Sequence, residues 1–367
     1  MTARVIATID RQALAHNLAI AKRHAPQSRI AAVIKADAYG HGLLPCAEAL
    51  AEADLFGVTT VEEAEQLRNA GIRKDILVMQ GLIERADLRR IARHGLQLVV
   101  HRAEDLALLE AEFDKAPPRK PLTVWLKLDT GMGRLGLPAA DVARIHLALR
   151  RKPWCDDVIL MTHLANAATP DAPLNSQQLL QFARSCQSLA DFTPQTSIAA
   201  SAALLALDAA GDWVRPGIML YGSSPFPWRD AARRRDSFDL RNVMTLQAQL
   251  ISVQQRQTGD SIGYNSQFIC PQPMRIGIVS IGYADGYPVT APNGTPVLVG
   301  TQRCGTVGRV SMDMLAIDLG NCPDARVGDF VTLWGEQLTL DEVAACLGTI
   351  SYQLTAGLGQ RVSRVYR

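Results

Sequence analysis

Short apolar runs alternate with amphipathic stretches from the N-terminus to Arg215. After a strand-like piece at 1–9, Asp10 can cap a helix whose apolar face carries Leu14, Leu18 and Ala21. Ile30-Ala-Ala-Val-Ile34 then runs straight into Lys35, and a continuous apolar run bounded by turn residues reads as a strand buried on both faces. The alternation predicts further strands at 55–58, 76–79, 96–100, 122–128, 158–161, 196–199 and 213–215. Helices are predicted between them at 43–53, 61–70, 84–94, 103–113, 139–151, 173–189 and 201–209. Such a series of strands separated by helices makes a parallel α/β unit of the TIM (β/α)8 barrel kind. The rival is an open doubly wound sheet; on the expectation that no glycine turn here cradles a dinucleotide, the barrel is favoured.

The pattern changes between 223 and 242, where Pro-punctuated and charged residues replace the alternation. The Arg233-Arg-Arg235 run in this stretch reads as a solvated face. Beyond it come strands at 244–253, 275–281, 296–299, 314–318 and 330–334, turns rich in Gly, Asn and Asp, and one amphipathic helix at 339–347. The expected organisation is a barrel over 10–232 and a mainly-β C-terminal domain over 233–367, joined by the strand at 1–9.

A formal charge of +2 with 20% charged residues gives no basic field of the kind nucleic-acid binders carry. The cysteines number 7, are scattered, and form no CxxC, which argues against a disulfide framework or a zinc site and fits a reducing cytosol. No stretch has the length of a signal peptide's apolar core or of a transmembrane span, so a cytoplasmic protein is expected. Only 7 of the 38 basic residues are lysines, none beyond Lys152, and only Lys35 and Lys127 lie in strand-like runs.

That scarcity narrows the chemistry. A lysine at the mouth of a buried strand is poorly solvated, which lowers its pKa toward the nucleophilic amine that a Schiff base requires. The plain alternative is a lysine snorkelling out of a strand end. A barrel places its chemistry at the C-terminal ends of its strands. There the pattern sets Lys35, Arg134 in Asp129-Thr-Gly-Met-Gly-Arg-Leu-Gly136, His163, Ser201 and Arg215. Ser201 at a helix start, with the amides around Gly217 and Ile218, could cradle a phosphate. A phosphate beside a Schiff-base lysine points to pyridoxal phosphate, with a sugar-phosphate aldolase open on the same features.

Val33-Ile-Lys-Ala-Asp-Ala-Tyr-Gly-His-Gly42, Lys127-Leu-Asp-Thr-Gly-Met-Gly-Arg-Leu-Gly136, Trp213-Val-Arg-Pro-Gly-Ile-Met-Leu-Tyr-Gly222, Gly282-Tyr-Ala-Asp-Gly-Tyr287 and Gly308-Arg-Val-Ser-Met-Asp313 together resemble the bacterial alanine racemase family, in order and across both domains. The resemblance implies a homodimer that interconverts L- and D-alanine with pyridoxal 5′-phosphate, supplying D-alanine for peptidoglycan or serving alanine catabolism. It implies that Lys35 holds the cofactor and acts as one base, with Tyr264 from the other subunit as the second. Two bases make sense because a proton must leave one face of Cα and return to the other, and no single rigid group reaches both. His163, in contact with Arg215, would assist Tyr264. Arg215 would face the pyridine nitrogen and, always protonated, leave that nitrogen without a proton. Arg134 would meet the cofactor phenolate and the substrate carboxylate, and Lys127, carbamylated, would hold Arg134. Tyr39, Ser201, Gly217 and Ile218 would bind phosphate. The Met312 amide, Tyr283 and Asp313 of the second subunit would meet substrate and line its entrance.

Three positions depart from the commonest family pattern. Ala200 stands where Asn is frequent, Ser311 where many members have Cys, and Gln360 where some place a phosphate-binding Tyr. The other readings are a broader racemase that also takes serine, a pyridoxal-phosphate decarboxylase on the same barrel, and a non-catalytic cofactor carrier.

Overall fold

The computed structural model describes residues 4–189 and 192–367, so the first three positions of the expected strand 1–9 lie outside the described residues. The first strands in chain order are β1 (Val5–Ile9), β2 (Arg29–Val33), β3 (Leu55–Val58), β4 (Asp75–Val78), β5 (Gln97–Val100), β6 (Leu122–Lys127), β7 (Cys155–Met161), β8 (Thr196–Ala200) and β9 (Trp213–Arg215). Strands β2 to β9 close into a barrel in sequence order. Parallel pairing of Arg29 with Trp213 and Ile30 with Val214 seals it. Ala31, Leu55, Leu77, Val99, Trp125, Ile159 and Trp213 pack in a single buried cluster, the inward residues that period-two alternation delivers to a barrel interior. Strand β8 contributes only small buried side chains there, Ser197 and Ala199.

Most elements lie where the pattern puts them, and the differences are physical. Strand β7 starts at Cys155 rather than 158 because Asp156 and Asp157 interrupt the apolar run while Cys155 and Asp157 still pair with β6, on either side of a register shift at Asp156. The helix expected at 43–53 is Leu43–Ala49, and that expected at 201–209 is Ser201–Ala206. The loop after β6 spells Gly131-x-Gly133-x-x-Gly136, the spacing of a dinucleotide turn, but its last glycine does not open the helix that follows, which starts only at Ala139. Instead Leu137 returns to bridge Leu128, and a Cβ on Gly136 would lie 2.3 Å from the Asp129 nitrogen.

The chain forms two compact units: 17–38 with 46–220, and 1–16 with 39–45 and 221–367. It parts at Leu220/Tyr221, ahead of the expected 232/233, because sheet pairing and close backbone contact recruit distant segments to the second unit. Within that unit β10 (Met244–Arg256) pairs antiparallel with β1. The remaining strands are β11 (Ser261–Ile262), β12 (Phe268–Ile269), β13 (Met274–Val279), β14 (Pro296–Val299), β15 (Gln302–Val307), β16 (Leu315–Asp318), β17 (Phe330–Trp334) and β18 (Ser363–Tyr366). The main sheet runs β13-β16-β15-β14-β17-β10-β1-β18, and β13 also pairs with β10. Strands β15 and β18 and the helix Ser351–Ala356 escape the sequence pattern. Polar Gln302 and Arg303 and the bare backbone of Gly305 break the alternation of β15, and β18 has no fully buried face. The Arg233–Arg235 run is not a solvated face throughout. Arg235 is buried and pairs with Asp236 at 2.8 Å and Glu336 at 3.3 Å, and Arg234 lies 4.2 Å over the Trp228 ring.

Candidate active site

Strand β2 ends at Val33, and Lys35 opens a six-residue helical turn, Lys35–Gly40. The turn winds left-handed: φ is +53°, +53°, +51° and +55° at Ala36, Asp37, Ala38 and Tyr39. Non-glycine residues pay about 1–2 kcal/mol each for that conformation, so the surroundings must hold it. In the barrel unit the Ala38 amide donates to Ile34 O at 2.9 Å, and the Ala36 amide to Glu63 Oε1 at 2.7 Å. In the second unit Tyr39 stacks on Tyr221 with ring centroids 4.7 Å apart and packs on Tyr352 at 5.8 Å. Arg364 Nε donates to Gly40 O at 2.8 Å. Gly40 is forced, since a Cβ there would lie 2.0 Å from Thr355 O.

The barrel end that carries Lys35 is crowded with cations. Burial, then the Arg134 charge, lowers the Lys35 pKa, with Glu63 opposing. Lys127, the last residue of β6, is brought down to about 8 by burial and then by the charges of Arg134, Arg215 and Lys35. Just past β7, His163 is pushed down to about 3 by burial and the same four cations, with Arg215 foremost, so its imidazole is neutral. Asp129 opposes the excess only at Lys127, where it is the weakest influence. Its carboxylate accepts from the amides of Gly131 and Met132 at 2.9 Å and Gly133 at 3.1 Å, fixing the loop that carries Arg134. Among the described residues, none of Lys35, Lys127, Arg134 and Arg215 forms an ion pair with a carboxylate. A water-poor group of like charges is stable only against an anion, so this end is built to receive one.

Arg215 is the deepest of these groups, 2% exposed, and fills the space left by the small side chains of β8. Burial brings its guanidinium down to about 10, still protonated at neutral pH. It donates to Ser197 Oγ, to Thr162 O at 2.6 Å and to Ile198 O at 3.1 Å. Its contact with His163 is therefore one of charge, not a hydrogen bond. Its Nε is buried without a partner among the described residues, a donor awaiting an acceptor. Ser201, also buried, accepts from the Gly217 amide at 2.9 Å and the Met219 amide at 3.4 Å. The Gly217 amide is thus engaged by Ser201, and the Ser201 hydroxyl proton and the Ile218 amide at the head of the turn Ile218–Tyr221 are the donors left for a ligand.

The remaining expected residues lie on the surface of the second unit. Tyr264, between β11 and β12, is 65% exposed, Met312 53% and Tyr283 45%. Tyr264 and Tyr283, with Asn265, Val289, Arg309 and Val310, line an open cavity of about 420 Å³. The Tyr283 and Ala284 amides donate to Ser311 O and Met312 O, which locks those loops together, and Asp313 accepts from Arg361 at 2.6 Å. Gln360 is exposed; the tyrosines packed against Tyr39 are Tyr221 and Tyr352. Tyr352, Glu63, Ser197 and Arg309 are the neighbours that sequence reasoning missed. Two of them had a signal: Arg309 its place in Gly308-Arg-Val-Ser-Met-Asp313, and Glu63 the Thr60-x-x-Glu63 spacing of a capping box.

The sequence matches the N-terminal domain of alanine racemase over residues 9–225 and the C-terminal domain of alanine racemase over residues 243–366. It is 48% identical over 362 residues to the catabolic alanine racemase of Pseudomonas putida, with 98% of each chain covered. It is 47% identical over 362 residues to the alanine racemase of Pseudomonas taetrolens, again over 98% of each. Among solved structures, the biosynthetic alanine racemase from Pseudomonas aeruginosa superposes with a TM-score of 0.93 at 45% identity, covering 100% of both chains. That of Bartonella henselae with covalently bound pyridoxal phosphate superposes at 0.89 and 28% identity, again covering 100% of both.

Proposed function

The chain belongs to the alanine racemase family, isomerases that interconvert L- and D-alanine, and from that premise we propose how its residues share the work. Pyridoxal 5′-phosphate, when bound, supplies the electron sink that makes the α-hydrogen of an attached amino acid acidic. The residues suit it. The unpartnered Arg215 Nε–H offers a donor to a ring nitrogen that carries no proton. Ser201, the Ile218 amide and Tyr39 suit a phosphate, and the unmatched cations suit its negative charge. The orphaned Arg215 donor within a cluster of unmatched cations is the observation that carries this reading.

Lys35, its amine favoured by burial, binds the cofactor and then takes or returns a proton on one face of the substrate Cα. Tyr264 of the partner subunit serves the opposite face, with the neutral His163 as its hydrogen-bond partner. Its exposure, and that of Tyr283 and Met312, fits a surface covered in a homodimer. The amide of Met312 of the partner subunit and Arg134 hold the substrate carboxylate, and Tyr283 of the partner subunit and Asp313 of the partner subunit line the way in. Lys127 at about 8 has enough free amine to add carbon dioxide, releasing a proton and leaving a carbamate anion to hold Arg134. We place this chemistry in the cytoplasm; no helix among the described residues is long and apolar enough to cross a membrane.

The test is exchange of the α-hydrogen in deuterated water, started from each enantiomer in turn. Tyr264→Phe should lower racemisation by about 10²–10⁴-fold while leaving the cofactor bound. Equal exchange by wild type and variant would show that Tyr264 is no base.

A further inference from the structure

We propose that Glu63 is a positioning residue: its carboxylate ties the left-handed Lys35–Gly40 turn to the head of the helix Val61–Asn69 and so fixes the direction in which Lys35 leaves the barrel. In this helix a capping box is complete, with Thr60 Oγ accepting from the Glu63 amide at 3.3 Å and the Glu63 side chain returning to the Thr60 amide. Such a box occupies one oxygen of the acid. Here the other oxygen is also used. Oε2 takes the Thr59 amide at 2.6 Å and the Thr60 amide at 3.3 Å, while Oε1 takes the Ala36 amide at 2.7 Å. Ala36 is exposed and has only a methyl group to pack, so this bond is what holds the residue after Lys35 from the barrel side.

Three N–H donors from two segments converge on one side chain, and only an ionised carboxylate presents acceptors at both ends. Glutamine keeps a single acceptor. Its oxygen stays with the two donors of the local cap, and its NH₂ then faces the Ala36 N–H, donor against donor. The charge matters as well, because Glu63 is the anion that opposes the pull of burial and Arg134 on the Lys35 ammonium. Lys127 and His163 are the other titratable groups sharing that environment.

The consequence for the cofactor rests on the reading of Lys35 given above; the tie itself does not. Hydrogen exchange followed by mass spectrometry on full-length holoenzyme separates the two. Glu63→Gln should speed amide exchange across 36–40 about tenfold and leave the head of the Val61–Asn69 helix unchanged. It should also speed loss of the cofactor to added hydroxylamine by a similar factor. Thr60→Ala should do the reverse, loosening the helix head while leaving 36–40 and cofactor loss as in wild type. Should Glu63→Gln not fold, Glu63→Asp keeps two acceptors on a shorter arm and gives the same localised exchange. Unchanged exchange at 36–40 in the Glu63 variants, or an equal rise there in Thr60→Ala, overturns the proposal. Wild-type enzyme whose cofactor, fixed by borohydride, is found on a residue other than Lys35 overturns the lysine reading and leaves the exchange result to judge Glu63.

Discussion

The two ends of the barrel contrast sharply. At the N-terminal end an open cavity of about 450 Å³ is lined by Arg29, Asp75, Gln97, Lys120, Asp157 and Gln195 among others. Its polar groups answer one another. Trp125 Nε1 donates to Gln97 at 2.7 Å, Trp213 Nε1 to Gln195 at 2.9 Å, and Gln195 to Asp157 at 3.0 Å. Lys120 lies 3.8 Å from Asp75, and Arg29 sits 4.1 Å over the Trp213 ring. At the other end Lys35, Lys127, Arg134 and Arg215 share a small volume with no carboxylate among the described residues paired to them, and each depresses its neighbours. On the site proposed above, the difference teaches that cavity size does not mark the chemistry. Unmatched charge does, because it is a cost the fold accepts only where a ligand relieves it.

Substitutions at the two ends should therefore separate. The largest effect belongs to Lys35→Ala, expected to lower racemisation at least about 10⁴-fold, measured by optical rotation with either enantiomer. Lys120→Ala at the opposite end is expected to stay within about twofold, and a comparable loss there would break the contrast. Arg215→Lys keeps the charge but not the fork, and leaves Ser197 and two carbonyls short of donors. It should cost about 1–3 kcal/mol in urea unfolding, together with about 10–100-fold in turnover.

The His163 imidazole gives a pH test. Its folded value, about 3, lies below the ordinary 6.5, so the unfolded chain binds the proton first. Stability is complete above 6.5 and falls as pH drops from there toward 3, by up to about 1.4 kcal/mol per pH unit. Between pH 6.5 and 5, His163→Leu in cofactor-free protein should lose about 1–2 kcal/mol less than wild type in urea titrations. Equal slopes would mean that the imidazole is solvated. The smallest effect on activity is expected for Gln195→Ala. It strands the Trp213 indole N–H and should cost about 1–3 kcal/mol of stability while kcat/KM stays within about twofold.

The order of strands and helices, the barrel, the mainly-β region after it and the two candidate lysines were legible in the sequence. Each depends on local periodicity or on residue type, and both are written along the chain. Arg134, His163, Ser201 and Arg215 were legible as a set because a barrel brings every strand end to one rim. What those groups touch was decided by tertiary structure. Nothing in Ala-Asp-Ala-Tyr announces a left-handed turn, since none of these residues favours that conformation by itself. Contacts from Glu63 on one side and from Tyr221, Tyr352 and Arg364 on the other impose it, and the latter stand far along the chain. The same holds for Arg215, whose free Nε follows from where Ser197, Thr162 and Ile198 stand. Local pattern records which side chains are buried; which partner a buried group meets depends on packing between residues that the sequence keeps apart.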